Sequence, residues 1–251
     1  MLYLDETQRI RFPDPEEANP WGLLATGGNL SPGVVLSAYE QGVFPWYDDE
    51  PILWFSPDPR FVLFLDDFHV GKRLRRTLNR VVEAPEWRIS FDKTFDEVID
   101  GCRRVRKLGE GTWITPEMFD AYRELHRLGY THSVEVWKDG DLVGGLYGLS
   151  IGNFFAGESM FSRERDASKI AFVALVGYFD TVGVPMIDCQ TYTDHLASFG
   201  ATEISRQEFL ARIAPLQRET ALFRDWTTFD GREMLLSGLS RAERNRERGF
   251  Q

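Results

Sequence analysis

From Glu86 onward the chain alternates between two hydrophobic periods. Glu86–Phe91 (EWRISF) puts apolar side chains at alternate positions and reads as a strand. Phe95, Val98, Ile99 and Cys102 then recur at helical spacing, which predicts a helix from about Asp92 to Arg106. A second helix opens where Thr115 can cap it and Pro116 suits its first turn; Met118, Phe119, Tyr122 and Leu125 form its stripe, and Gly129 closes it. Three strands follow. His132–Trp137 leads through Lys138-Asp139-Gly140 into Leu142–Leu149, and Ile151-Gly152-Asn153 turns that strand into Phe154–Glu158. A long helix over Asp166–Thr181 has Ala167, Ile170, Ala171, Ala174, Leu175 and Tyr178 on its apolar face. A buried strand, Val184–Gln190, and a short helix ending near Gly200 complete the series.

The first sixty residues have a different texture, dense in Pro, Gly and Trp, which precludes long helices. One short helix fits near Pro32–Gln41, with Ser31 as its cap and Gly42 at its end. The expected organisation is a small, loop-rich N-terminal domain over residues 1–62 and a larger domain over 63–251. In the larger domain the order strand, helix, helix, three-strand meander, helix, strand, helix resembles the GCN5-related N-acetyltransferase fold, an α/β (α+β) acyl-transfer scaffold. Fold likeness alone names no reaction.

With 43% hydrophobic residues and 34 aromatics in 251, the chain can build a substantial core. No apolar run approaches the roughly 20 residues that span a bilayer, and the N-terminus lacks a signal-peptide layout; a cytoplasmic protein that meets no membrane is expected. Cys102 and Cys189 have no partner at ligand spacing and the four histidines are scattered, so no metal is expected. A net charge of −10 argues against nonspecific coating of nucleic acid. Yet Lys72, Arg73, Arg75, Arg76 and Arg80 form an acid-free run, and Arg103, Arg104, Arg106 and Lys107 form another. A third, at Arg241, Arg244, Arg246 and Arg248, is diluted by acids. Each is either a solvated helix face or a local polyanion site.

Acyl-CoA enzymes of this fold hold the CoA pyrophosphate on a glycine-rich loop before the long helix, where consecutive backbone N–H groups face the phosphates. Here that stretch is Ser162-Arg163-Glu164-Arg165-Asp166-Ala167-Ser168-Lys169, with no glycine and two acids. The fold points to acyl transfer while the CoA signal is absent, so another acyl donor is expected.

The stretches LLATGGNLSP, GVFPW, LWFSPDPR, EGTWIT, SVEVW, LVGGLYG, GESMFSR, ASK and IDCQ resemble the bacterial leucyl/phenylalanyl-tRNA–protein transferases from about Phe12 to Gly200. The resemblance implies a cofactor-free and metal-free aminoacyltransferase, moving Leu or Phe (sometimes Met) from aminoacyl-tRNA to an N-terminal Arg or Lys of proteins. The product enters the bacterial N-degron pathway of protein degradation. The enzyme is expected to act as a monomer. A same-fold acyl-CoA N-acyltransferase, a catalytically dead binding module and a relative that leucylates N-terminal Asp or Glu are the alternatives.

The donor ester is already activated and the acceptor α-amine has an ordinary pKa near 7.7–8.0, so the reaction needs chiefly positioning and a polar lining. Asp188 and Gln190 stand two apart on a strand and share a face; Asp188 can accept or orient the amine proton, directly or through Gln190. The resemblance assigns both to the catalytic centre; the alternative is a turn cap and a satisfied core amide. Glu158 ends an apolar strand, where a carboxylate needs a partner: a substrate ammonium, or Arg163 or Lys169. The family's aminoacyl pocket maps onto Trp46, Trp113, Leu146, Phe155, Leu175, Phe179 and Ile187. Thr193 stands where the family usually has Asn. Lys72, Arg73, Arg75, Arg76 and Arg80, with Arg103–Lys107, are candidates to hold the tRNA acceptor stem. A Cys189–His195 nucleophile pair is disfavoured, because Cys189 alternates away from Asp188. The tail from about Asp230 lies outside the resemblance and is either an amphipathic helix or disordered.

Overall fold

A computed structural model of the protein describes residues 8–47, 49–107, 114–219 and 225–249. The N-terminal segment forms a three-stranded sheet, in the order β1-β3-β2, from β1 (Leu23–Thr26), β2 (Phe44–Pro45) and β3 (Leu53–Phe55). Helix α1 (Pro32–Glu40) lies between β1 and β2 in the chain. Ser31 occupies its cap position but makes no side-chain bond to it, so the expected hydroxyl cap is absent. Gly42 ends the helix as expected, at φ +74°, a conformation that costs glycine little.

The second sheet has seven strands in the order β10-β4-β9-β8-β7-β6-β5. They are β4 (Arg60–Phe64), β5 (Trp87–Phe91), β6 (Thr131–Lys138), β7 (Asp141–Ile151), β8 (Phe154–Ser162), β9 (Met186–Gln190) and β10 (Thr202–Ile204). Helices α2 (Lys72–Glu83), α3 (Phe95–Lys107), α4 (Pro116–Arg127), α5 (Ala167–Val182), α6 (Asp194–Ala197), α7 (Arg206–Leu216) and α8 (Gly231–Arg248) surround it. The fold is thus mixed α/β, with the predicted series from β5 to α6 present in the expected order. The Thr115 hydroxyl caps α4 by accepting from Met118 N at 3.2 Å. Asp139 and Gly140, both at positive φ, make the tight β6–β7 turn. β4 spans the expected boundary at residue 62 and pairs with β9 and β10 inside the large sheet. Neighbouring strands are antiparallel throughout, except that β8 and β9 run parallel with Ala156 opposite Asp188.

Helix α5 is buried nearly all round, from Ala167 to Phe179. Each fully buried Leu, Val or Phe on it contributes about 1.5–3 kcal/mol. One face packs on the sheet; α8, the segment left open between helix and disorder, covers another. The two helices touch at Gly177 and Gly238, where an added Cβ would meet Met234 O at 1.8 Å and Val173 O at 2.1 Å respectively. A second core joins Phe12, Val35, Leu36 and Tyr39 of the N-terminal segment to Leu149, Phe154, Met186 and Phe209. The N-terminal segment is therefore seated against the large sheet, and α1 brings Tyr39 to the site described next. Among the described residues no helix is long and apolar enough to cross a membrane.

Candidate active site

Where the parallel strands β8 and β9 part, a cavity of about 260 Å³ opens between β7, β8, β9 and the first half of α5. Its apolar walls are Leu146, Phe155, Met160, Phe172, Leu175 and Ile187. Trp46, 47% exposed, stands at its mouth. Of the seven residues expected to form an aminoacyl pocket, Trp46, Leu146, Phe155, Leu175 and Ile187 line the cavity. Phe179 lies one layer behind, its ring edge-on to Phe155 with centroids 5.0 Å apart. Trp113 lies outside the described residues. Phe172 and Met160 were not anticipated as lining residues; Phe172 falls on the same helix as Leu175 at i−3, which is the signal that would have found it.

One end of the cavity is polar. Glu158 is buried on β8, and the tyrosines of α1 and α4 meet over it. Tyr39 Oη donates to Glu158 Oε1 at 2.7 Å, Tyr122 Oη donates to Oε2 at 3.1 Å, and the two hydroxyls are 2.7 Å apart. Gln190 Nε2 adds a fourth contact, donating to Oε1 at 3.1 Å. Burial pushes the Glu158 carboxyl up to about 7, with the Asp188 charge adding to the rise and the tyrosine and glutamine donors opposing it. The triangle of two hydroxyls and one carboxyl has three contacts but two hydroxyl hydrogens, so one added proton completes it without moving a heavy atom. Glu158 bonds neither Arg163, which donates to Leu142 O, nor Lys169, which sits 3.4 Å from Asp166. Burial also pushes the two tyrosine hydroxyls well above their ordinary range, and Glu158 adds to that rise.

Asp188 is fully buried and held by Arg60. Arg60 Nε donates to Oδ1 at 2.8 Å and Nη2 to Oδ2 at 2.6 Å, while Nη1 donates to Gly42 O at 3.2 Å. The guanidinium lies between the rings of Phe44 and Phe209, 4.8 and 4.4 Å from their centroids. Asp188 Oδ1 also accepts from Gln190 N at 2.9 Å. That bond stabilises an unusual backbone at Gln190, φ +63°, which breaks the strand alternation. Asp188 and Gln190 are consequently linked through main chain, while the Gln190 amide reaches across to Glu158. Arg60, Tyr39 and Tyr122 escaped the sequence reading. A lone Arg in the apolar strand RFVLF was the available signal, as were hydroxyls on tyrosines in buried helix stripes.

Cys189 lines the cavity but donates to Ile187 O at 3.8 Å, and burial raises its thiol far above the usual range, so no activated thiolate forms. Thr193 caps α6 by accepting from Leu196 N at 3.2 Å, a role an Asn fills equally. At the start of α5, Asp166 occupies the anion position with Arg73, Arg165 and Lys169 within 4 Å, and Ser162 Oγ takes the Ser168 N–H. The run Lys72–Arg80 is α2. Arg75 is 3.3 Å from Glu243, while Lys72, Arg76 and Arg80 are exposed and pair with no acid among the described residues. Arg104 pairs with Asp100, and the side chains of Arg106 and Lys107 lie outside the described residues. Arg241 and Arg244 of the third run are tied to Asp180.

The parallel strands β8 and β9 thus border an apolar cavity with a buried carboxyl at its polar end. The family model described as leucyl/phenylalanyl-tRNA protein transferase matches residues 62–214, and that of the family's N-terminal domain matches residues 28–58. The protein is 49% identical over 233 residues to the leucyl/phenylalanyl-tRNA–protein transferase of Maridesulfovibrio salexigens, covering 91% of this chain and 95% of that one. To the same-named protein of Chromobacterium violaceum it is 51% identical over 218 residues, covering 86% and 92%. A solved GCN5-related N-acetyltransferase from Kribbella flavida is a looser likeness, at 12% identity and TM-score 0.35 over 69% of this chain and 61% of that one. The chain belongs to the leucyl/phenylalanyl-tRNA–protein transferase family, and it is an aminoacyltransferase.

Proposed function

We propose that this protein takes Leu, Phe or Met from aminoacyl-tRNA and joins it to the N-terminal Arg or Lys of acceptor proteins, so marking them for the N-degron pathway in the cytoplasm. Family membership supports the reaction, and one observation supports the site: a cavity with apolar walls ends on a buried carboxyl of pKa about 7.

The donor's side chain enters between Leu146, Phe155, Leu175 and Ile187, with Trp46 over the 3′ adenosine. This leaves the ester carbonyl at the polar end. The acceptor amine attacks the carbonyl carbon; the ester C–O bond breaks and the 3′ oxygen leaves. Overall, one proton passes from the amine to that oxygen. Glu158 is suited to carry it both ways, since a carrier with pKa near the working pH is protonated and released with equal ease. The Tyr39 and Tyr122 hydroxyls turn with the proton. Gln190 holds Glu158 with its amide N–H and offers its amide oxygen to the amine. Asp188, gripped by Arg60, sets the Gln190 backbone rather than meeting substrate. The exposed cations Lys72, Arg73, Arg76 and Arg80, with the half-buried Arg75, hold tRNA phosphates without reading sequence.

Single-turnover transfer of radiolabelled Leu from charged tRNA to peptides beginning Arg, Lys, Asp or Ala, with acetyl-CoA as a parallel donor, tests the reading. Transfer confined to Arg and Lys peptides is the expected result. Transfer to Asp peptides overturns the acceptor, and labelling from acetyl-CoA alone overturns the reaction.

A further inference from the structure

Helix α8 lies beyond the stretch matched by the family model, which ends at residue 214. Its inner face seats on α5, but its last turn has a second neighbour. There it faces the first two turns of α2 across a groove of about 920 Å³ with Phe68, Val70 and Ala242 in its walls. Lys72 and Arg76 enter the groove from α2, Arg246 and Arg248 from α8, and Asp66 and Asp67 from the intervening turn. Asn245 fixes the end of α8 by donating to Leu65 O and Phe68 O. Arg246 and Arg248 make single contacts to Glu243 at 3.2 Å and Asp66 at 3.3 Å, all among exposed side chains. Such pairs hold little energy and exchange readily for a phosphate.

Between α2 and the active-site cavity lies a cluster of ion pairs. Ser168 is part of the cavity wall, and Lys169 beside it shares Asp166 with Arg165 and with Arg73 of α2. On α2, Arg73, Arg76 and Arg80 share one face at i, i+3 and i+7, over a helix roughly 18 Å long. Basic side chains thus run from the cavity wall, along α2, to the end of α8, on a protein whose net charge is −10. A charged polymer anchored by its end in the cavity meets these cations in that order.

We propose that α8 and α2 together form the docking groove for the phosphate backbone of the tRNA acceptor arm, with Arg246 and Arg248 as its distal contacts. The proposal rests on aminoacyl-tRNA being the donor. Its test uses the full chain and two donors, Leu-tRNA and leucyl-adenosine, the second lacking every phosphate beyond the end. In the double variant R246E/R248E the KM for Leu-tRNA rises tenfold or more at low salt, while the KM for leucyl-adenosine stays put. The slope of log KM against log salt falls by roughly 1.5, as expected for two lost phosphate contacts. Asp67→Asn, which removes a rim acid, lowers the KM for Leu-tRNA. An unchanged KM, or equal rises with both donors, overturns the proposal. Uncharged tRNA binding, followed by fluorescence anisotropy, separates the two readings. If wild-type protein transfers from neither donor yet loses tRNA binding in R246E/R248E, the transferase reading fails and the groove stands.

Discussion

Arg60 and Asp188 form a two-pronged pair, with bonds of 2.8 and 2.6 Å, in which neither side chain is more than 1% exposed. A buried pair of this kind is costly to break on one side, because the remaining partner is left charged and dry. Arg60→Met therefore destabilises the protein by about 3–5 kcal/mol in chemical denaturation. The double variant R60M/D188L recovers most of that stability and none of the transfer activity, since Gln190 loses the bond that holds its backbone. Recovery of activity along with stability would show that Asp188 has no positioning role.

Glu158 ties activity to pH. Its carboxyl, lifted to about 7, is protonated at pH 6, and the single-turnover rate rises as it ionises through neutrality. Glu158→Gln removes that limb and lowers the plateau by about 10²–10⁴-fold. In Tyr39→Phe the carboxyl loses a donor that holds its pKa down, so the limb moves to higher pH. A limb that stays in place in both variants belongs to the acceptor amine and sinks the assignment.

The same group predicts a stability profile of known sign. The folded pKa stands above the ordinary 4.5, so the contribution is fully present below about pH 4.5 and is lost as pH rises toward 7. Relative to Glu158→Gln, the wild-type protein thus loses on the order of 3 kcal/mol between pH 4.5 and pH 8. Urea midpoints of the two proteins across that range check the sign.

Leu175 lies in the pocket wall and is 1% exposed. Leu175→Ala opens room beside the donor side chain, so kcat/KM for Phe-tRNA relative to Leu-tRNA rises, by about 10–200-fold for a change of this size. The ratio cancels any general loss of folded protein. An unchanged ratio removes Leu175 from donor selection.

The crossing of α5 and α8 tolerates no side chain. Gly238→Ala drives a Cβ to 2.1 Å from Val173 O, and the helices must part. Overpacking of this kind typically costs 1–3 kcal/mol. A thermal midpoint within a degree of wild type would mean that α8 sits elsewhere in solution.

The elements from Trp87 to Ala197 were legible because their hydrophobic periods are clean and their turns carry Asp139-Gly140, Gly152 and a Thr115 cap. The N-terminal strands were not, since they are two to four residues long and too short to show a period. β4 straddles the expected boundary at residue 62, because Pro57 and Pro59 punctuate the chain just before it, while its sheet partners β9 and β10 lie over a hundred residues away. In the site, the pocket walls and the three carboxyl and amide groups came from the resemblance, and the partners of those groups did not. Tyr39, Tyr122 and Arg60 act over sequence separations of 119, 36 and 128 residues, which no local pattern encodes. Their types were visible, but the distances that make them matter were not.

Gln190 turns its backbone to φ +63° at the last residue of β9, where the pairing with β4 carries a register shift. The Asp-Cys-Gln signature is therefore not a portable string. Grafted onto a flat strand of another scaffold, the same three letters would point the amide along the pleat and away from any carboxyl waiting on the neighbouring strand. Anyone transplanting this chemistry would need to carry over the kink and the buried Arg that braces it, and a sequence search by motif alone would gather imitators that lack both.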